Sequence, residues 1–401
     1  MSRNVEIYNT YFGDCIILKD SIENSNLLID FGIHYFSDVP SAYGNRDLLT
    51  DKIAEDIATR YSNGNISLLI THFHEDHISG LIKMYQSGDR KYKSLFKNIY
   101  IANIWKNPFA IASNLLEEMI IEKELKNTGL PRTTASLFDI IDFLYGNVYS
   151  IYFLERGTRF ENNKYVTLWP IIDKSDNAIL EIVSSLELTG EFVGGLMALS
   201  EMIGIFVLQE LFDENGHSRY EQENYVWKQR IDDFKAIYNE LYTVIDENDL
   251  FFGNDSYNHQ KEELNKLNHK YNIVFQNLID EEDNVLFTGD VEVSQMNEIA
   301  MKTDIALHKK YKYVKIPHHG TERHYFDYSR YNPQNILITN GKLNLSNANS
   351  YKISKRYGAM NSFYVCTNSN NCLNCNLSCA TATSICKTNH KLVYSNLYET
   401  I

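Results

Sequence analysis

Short apolar runs broken by Gly, Asn or Asp open the chain. "VEIYNT", "DCIILKD" and "NLLIDFG" read as β-strands. "LLTDKIAEDIATRY" spaces its apolar residues at helical intervals, and the run "ISLLI" predicts a strand leading into "THFHEDH". "GLIKMYQSG" predicts a helix leaving that loop, and "NIYIAN" a further strand. Residues 107–145 turn helical in period, notably in "IASNLLEEMIIEKELK" and "TASLFDIIDFLYG". Strand character returns in "NVYSIYFLERGTRFENNKYVTLWP", two β-rich pieces around a turn. Residues 175–250 are again mostly helical, after which "YNIVFQN", "NVLFTGD", "YKYVKIP" and "NILITNG" resume the strand pattern, each ending in polar or turn-forming residues.

These elements predict an α/β protein: a strand-rich domain over residues 1–345, interrupted by a helical insertion at about 175–265, and a cysteine-rich segment over 346–401. With 401 residues, 44% hydrophobic and 13% aromatic, the chain has the material for a large buried core, which excludes global disorder. The segment "FVGGLMALSEMIGIFVLQELF", residues 192–212, has the length of a membrane span. Glu201 interrupts it and Gln209 and Glu210 close it, so a buried amphipathic helix is expected and no membrane partner. The N-terminal "MSRNVEIYNTYFGDCIIL" lacks the basic start and unbroken apolar stretch of a signal peptide, giving the expectation of a cytoplasmic address.

The net charge of −14 argues at first against a nucleic-acid partner, but its distribution weakens that argument. Residues 171–270 hold 20 acids against 8 Lys and Arg, a net of −12, which leaves −2 for the rest of the chain. Of the six cysteines, Cys366, Cys372, Cys375, Cys379 and Cys386 crowd into the tail with C-x2-C and C-x3-C spacings, followed by His390. A structural Zn²⁺ held by four of them, or reduced thiols, is expected there rather than disulfides.

The densest chemistry lies in "LLITHFHEDHISGL", residues 68–81. His72, His74, Asp76 and His77 form H-x-H-x-D-H directly after an apolar strand. On an extended segment, residues two apart point the same way, so His72 and His74 can grip one ion together. Asp76 and His77, opening the next helix, can face a second. Neutral imidazole and carboxylate suit Zn²⁺ and similar divalent ions.

This motif resembles the signature of the metallo-β-lactamase fold hydrolase superfamily, and further motifs follow in the superfamily's order. "LLIDFG" resembles the early strand whose aspartate, here Asp30, supports the ligand loop from behind. "LFTGD" resembles the strand ending in the aspartate that bridges both metals, here Asp290, and "VKIPHHG" the last ligand motif, with His318 or His319 facing the metal. Within the superfamily, "GDCIIL", "LFTGDVE" and "KIPHHGT" most resemble the branch of the competence DNA-uptake protein's nuclease-like domain and the phosphorylcholine esterases. The strand piece ending in Trp-Pro fits that branch too, with "HKYNIVFQ" displaced downstream by the insertion. One departure is plain: lactamase-like and glyoxalase-like members carry a third histidine in a T-P-G-H-T-type loop, which is missing here. The histidines in that interval are His217, His259 and His269.

The resemblance implies an αββα sandwich holding two divalent ions, Zn²⁺ ahead of Mn²⁺, on His72, His74, Asp76, His77, Asp290 and one of His318 and His319. It implies a hydrolase of phosphodiesterase or nuclease type that attacks with metal-bound hydroxide. Asp76, His318, His319 and Arg323 are the candidate catalytic residues. Arg323 and the run Arg90, Lys91, Lys93 and Lys97 are candidate phosphate-facing cations, and Thr321 and His324 candidate orienting groups. Nucleic acid or another phosphodiester is the expected substrate. Two rival readings stay open: a small-molecule ester or lactone hydrolase, and a non-catalytic or partner-dependent subunit of a defence or toxin system, with the helical insertion meeting a protein partner.

Overall fold

The computed structural model describes residues 3–20, 25–39, 44–62, 64–127, 137–145, 150–173, 177–212, 224–247, 255–341, 343, 352–360, 362–367 and 398–400. The chain begins β1 (Arg3–Tyr8), β2 (Ile16–Asp20), β3 (Ser25–Ile29), α1 (Arg46–Arg60), β4 (Ile66–Ile70), α2 (Glu75–Gln86), α3 (Arg90–Lys93) and β5 (Phe96–Ala102). Next come α4 (Pro108–Asn127), α5 (Leu137–Tyr145), β6 (Ser150–Leu154), β7 (Arg159–Phe160) and β8 (Tyr165–Trp169). Four helices follow: α6 (Ala178–Ser185), α7 (Gly190–Ile205), α8 (Asn224–Glu247) and α9 (Asp255–His269). The remaining elements are β9 (Val274–Asn277), β10 (Val285–Phe287), α10 (Val293–Met301), β11 (Tyr311–Lys315), β12 (Pro333–Ile338), β13 (Phe363–Cys366) and β14 (Tyr398–Thr400).

The protein is mixed α/β with two mixed sheets. Two compact units emerge. The first comprises residues 1–102, 154–170 and 272–401, and the second 103–153 and 171–271. The helical stretch expected at 175–265 is thus part of a larger unit that also takes in α4 and α5. The physical reason lies in α4. Its buried residues, from Ala110 to Leu125, are distributed around the whole helix and include Glu117, Glu118 and Lys123. A helix buried on all sides needs neighbours on all sides, and α4 packs against α6, α7, α8 and α9. In α7 the buried residues Phe192, Leu196, Leu199, Ser200, Ile203 and Gly204 recur at helical spacing, while Met202 and Ile205 are exposed. Gly190–Leu211 passes the length and apolarity test for a membrane span, and 44% of its most apolar window is buried inside the structure.

In the first unit one sheet runs β14-β1-β2-β3-β4-β5 and the other runs β13-β12-β11-β10-β9-β8-β7. Strands β3, β4 and β5 are parallel, as are β10, β11, β12 and β13. Parallel neighbours need a crossover, supplied by α1 between β3 and β4, α2 between β4 and β5, and α10 between β10 and β11. β4 is buried at every position, Ser67 included, which means both faces are covered. β8 and β9, separated in sequence by residues 171–271, pair antiparallel with Val166 opposite Gln276, so the strand ending in Trp169 and the one within "YNIVFQN" are sheet neighbours.

This topology gathers loops. Asp30 follows β3, Thr71 to His77 follow β4, Asp290 follows β10, His318 and His319 follow β11, and Thr339 follows β12. Each lies beyond the carboxyl end of a parallel strand, where open α/β sheets place their ligand crevices. Helix α1, which forms one of these crossovers, is capped by Asn45, whose side chain accepts from the Leu48 N–H at 2.9 Å. Replacing Asn45 with alanine should cost about 1 kcal/mol, read as a lower denaturant midpoint with unchanged slope.

Candidate metal centre

β4 ends at Ile70, residues 71–74 run on without regular structure, and α2 starts at Glu75 with His74 as its N-cap residue. His72 and His74 therefore sit two apart ahead of the helix, with ring centroids 4.5 Å apart, and His77, one helical turn further, brings its ring 4.0 Å from His72. Glu75 and Asp76 lie in the first turn, where the helix dipole favours negative charge. Chain crossings fix this turn. Asp14 N–H donates to Asp76 O at 2.8 Å, Gly32 N–H to Asp14 O at 2.9 Å, and Phe31 N–H to His77 O at 2.8 Å. A Cβ on Gly32 would lie 2.3 Å from the Asp76 carbonyl carbon, so only glycine permits the approach.

Asp76, His77, Asp290 and His319 bring one ligand atom each within 4.8 Å of one another, all four side chains buried. His319 Nε2 stands 2.9 Å from Asp76 Oδ2 and 3.5 Å from Asp290 Oδ2, and His77 Nε2 3.4 Å from Asp290 Oδ2 and 3.9 Å from Asp76 Oδ1. Both rings are held from behind. His77 Nδ1 lies 2.8 Å from Asp30 Oδ2, and His319 Nδ1 lies 2.8 Å from Thr339 O. Asp30 in turn accepts from the Thr71 N–H and the Thr71 hydroxyl, both at 2.7 Å. Such anchoring leaves each Nε2 facing the carboxylates, as ligating histidines require.

Opposed charges govern the electrostatics. Burial works to raise the Asp76 carboxyl, but His77 and hydrogen-bonded His319 outweigh it and hold the group well below 3.8. Asp290 follows the same pattern, with burial overcome by Lys315, His319, His77 and His318. Burial opposes the charged form of His77, yet Asp290, Asp30, Asp76 and Asp14 together lift it well above 6.5. His319 is likewise raised, against burial, by Asp290, Asp76 and Asp14. Beside the cluster, burial lifts Glu75 to about 7 even though Arg46 stands 2.6 Å away.

The donor set suits a divalent cation. His77 Nε2 is buried, faces two carboxylates and has no hydrogen-bond partner among the described residues. Imidazole nitrogens mixed with carboxylate oxygens are the ligands of Zn²⁺ and similar ions. These side chains could hold a metal ion.

The remaining candidates are placed as follows. His318 lies at the edge of the group, its side chain 17% exposed and its Nδ1 3.0 Å from Asp290 Oδ2, so both histidines of "PHHG" face Asp290. His324 is buried between the Thr321 hydroxyl at 2.8 Å and Glu292 at 3.1 Å, with its ring 4.0 Å from that of His318. Arg323, between them in sequence, is exposed. Arg90, Lys91, Lys93 and Lys97 are exposed, and Lys91 pairs with Glu55 and Asp89. His259 and His269 belong to α9 in the second unit, and His217 lies outside the described residues. Cys366 is buried at the end of β13, while Cys372, Cys375, Cys379 and Cys386 lie outside the described residues.

Two participants, Lys315 and Asp14, stand outside the histidine and aspartate motifs. Lys315, 1% exposed, puts its ammonium 3.2 Å from Asp290 Oδ1 and 2.6 Å from Asp14 Oδ2, and Asp14 is itself buried. A signal for Lys315 existed in "YKYVK": period-two alternation puts it on the face of Tyr311 and Tyr313, both buried. The chain matches no protein-family model and no curated protein.

Proposed function

We propose that this chain is a metal-dependent hydrolase with the αββα sandwich of the metallo-β-lactamase fold, cutting phosphodiester bonds. One observation carries the reading: Asp76, His77, Asp290 and His319, from three segments far apart in sequence, bring one ligand atom each within 4.8 Å of one another. Support also comes from the order of the parallel strands that deliver these loops, and from the anchoring of His77 by Asp30 and of His319 by Thr339.

In this reading His72, His74, Asp76, His77, Asp290 and His319 hold two divalent ions. When bound, such ions supply a water made acidic enough to attack at neutral pH and take up charge on the phosphoryl oxygens. The chain's own part is orientation and proton handling. Asp30 and Thr339 O keep the two Nε2 atoms free of protons on the ligating side once metal is bound. His318, at the edge beside Asp290, passes a proton to the leaving oxygen. His324, held by Thr321 and Glu292 with its tilted ring 4.0 Å from that of His318, keeps the His318 ring in place, and Arg323 meets the phosphate's charge.

The test is elemental analysis of the purified chain, combined with turnover of an activated phosphodiester and of single- and double-stranded DNA, before and after chelation. The expected outcome is bound Zn²⁺ or Mn²⁺ and phosphodiester turnover that chelation removes and metal restores. Tight metal binding without turnover on any of these would replace the hydrolase with a binding subunit. Absence of metal binding would end the reading.

A further inference from the structure

The buried lysine beside the candidate centre is the feature that neither the histidine motif nor the proposed chemistry explains. Burying an ammonium is costly unless every proton finds an acceptor. Lys315 Nζ has three: Asp14 Oδ2 at 2.6 Å, Gly289 O at 3.0 Å and Asp290 Oδ1 at 3.2 Å. An ammonium has three donors, so the group is fully used and its position is fixed. Its acceptors come from two separate segments, the turn between β1 and β2 and the loop after β10, while the lysine itself closes β11. The lysine thus ties the turn between β1 and β2 to the loop after β10.

The consequence for Asp290 is geometric. Oδ1 accepts from Lys315 and from the His318 N–H at 3.1 Å. Oδ2 is left facing His318 Nδ1 at 3.0 Å, His77 Nε2 at 3.4 Å and His319 Nε2 at 3.5 Å. One oxygen is committed to the scaffold and the other to the imidazoles. Without the lysine the carboxylate could rotate and split its oxygens differently. Asp14, Asp30, Asp76 and Asp290 also crowd close together, and a fixed cation among them offsets part of their mutual repulsion before any metal arrives.

We infer that Lys315 is a positioning residue for the candidate metal centre, locking Asp290 so that a single oxygen is offered to cations held by His77 and His319. The inference rests on the metal-binding reading above. Its competitor is local: Asp14 is the nearer partner, so Lys315 could serve only as the counter-ion of Asp14. The two roles separate by charge. Losing Lys315 alone removes a positive charge that repels metal, which by itself tightens binding. Losing its grip on Asp290 loosens binding. Removing Lys315 and the Asp14 charge together keeps the net charge and leaves only the loss of positioning.

The experiment is Zn²⁺ affinity, measured by competition with a chromophoric chelator, for the wild type, Lys315→Met and the Asp14→Asn/Lys315→Met double variant. Thermal unfolding of each is recorded in chelator. Groups that orient metal ligands are typically worth 10–100-fold in affinity. The expectation is binding about 10–100-fold weaker in the double variant at an unfolding midpoint near that of the wild type, and weaker binding in Lys315→Met as well. Wild-type affinity in the double variant overturns the positioning role while leaving the metal centre standing. If the double variant fails to fold, Lys315→Arg, which keeps the charge but not the three-acceptor geometry of the ammonium, takes its place, and wild-type affinity there overturns the role. A wild type that binds no Zn²⁺ removes the metal reading itself, and this inference with it.

Discussion

Asp290→Asn should bring phosphodiester hydrolysis down to the level of the chelated wild type while leaving the fold in place. The substitution keeps the shape and changes one atom. Two donors, Lys315 Nζ and the His318 N–H, point at Oδ1 from 3.2 and 3.1 Å, so the asparagine oxygen must take that side. The amide NH₂ is then turned to the side where Oδ2 now meets His77, His318 and His319. An amide nitrogen with two protons is no metal ligand, and it repels the cation the carboxylate would attract. Affinity for Zn²⁺ should fall by more than the roughly 100-fold that marks the upper end for groups lying behind ligands. Lys315 retains Asp14 and Gly289 O, so its share of the stability loss is the difference between a charged and a neutral acceptor, about 1 kcal/mol. His77 and His319 lose the carboxylate that most raises them, so the variant loses further stability where those rings are charged and least at high pH, where they are neutral. Turnover and metal titration on the purified variant, with thermal unfolding in chelator, check all three statements. Wild-type turnover in Asp290→Asn would remove Asp290 from the chemistry.

What could be read from the chain follows from how local each feature is. His72, His74, Asp76 and His77 lie within six consecutive residues after an apolar strand, so strand and helix geometry alone bring them together. Asp290 and the histidine pair announce themselves as polar groups just past short apolar runs, though nothing local says that β10, β11 and β4 turn their ends towards a shared centre. The choice between His318 and His319 was not legible, because the turn there is irregular: both residues have positive φ, 46° and 55°, so strand alternation stops applying before it reaches them. Asp14 lies within "GDCIIL", where nothing local marks a role for it. Its importance depends on Lys315 and on the crossing at Gly32, both contacts between segments distant in the sequence.

The extent of the second unit was hidden for a similar reason. The period of α4 shows a helix, but its partners α6 to α9 lie beyond an intervening stretch of β-strands. Only the breadth of its apolar surface hinted that it could not stand against a single sheet face. Pairing of β8 with β9 across that same excursion is likewise a fact of topology rather than of pattern. Chemistry that depends on neighbours in sequence is visible early. Chemistry that depends on neighbours in space is visible only when the strand ends are laid side by side.

Asp30→Asn should disable metal binding by reversing which nitrogen of His77 carries the proton. Asp30 accepts from Thr71 N–H through Oδ1, and through Oδ2 it faces both the Thr71 hydroxyl and His77 Nδ1. A carboxylate accepts only, so the Nδ1 of His77 must donate, leaving Nε2 as the nitrogen able to ligate once its own proton is displaced. In the asparagine variant the amide oxygen stays with Thr71 N–H, because the backbone donor cannot change role. The NH₂ group then meets His77 Nδ1 and the Thr71 hydroxyl, both of which can accept. Neutral His77 therefore carries its proton on Nε2, aimed at Asp290 and Asp76, and has no lone pair there for a cation. Every buried polar group still has a partner, and asparagine suits the left-handed backbone at this position (φ 55°) as well as aspartate does. Alanine would not, and it would also orphan three buried donors at about 1–3 kcal/mol each. The expected result for Asp30→Asn is Zn²⁺ binding weakened by about 10–100-fold, with an unfolding midpoint in chelator close to that of the wild type. Proton-resolved NMR of ¹⁵N-labelled histidine in the metal-free variant, recorded at a pH above the His77 titration so that the ring is neutral, should find the His77 proton on Nε2. Retention of the Nδ1-protonated form together with wild-type affinity would show that Asp30 does not set the orientation of the ligand, and that His77 reaches its place by packing alone.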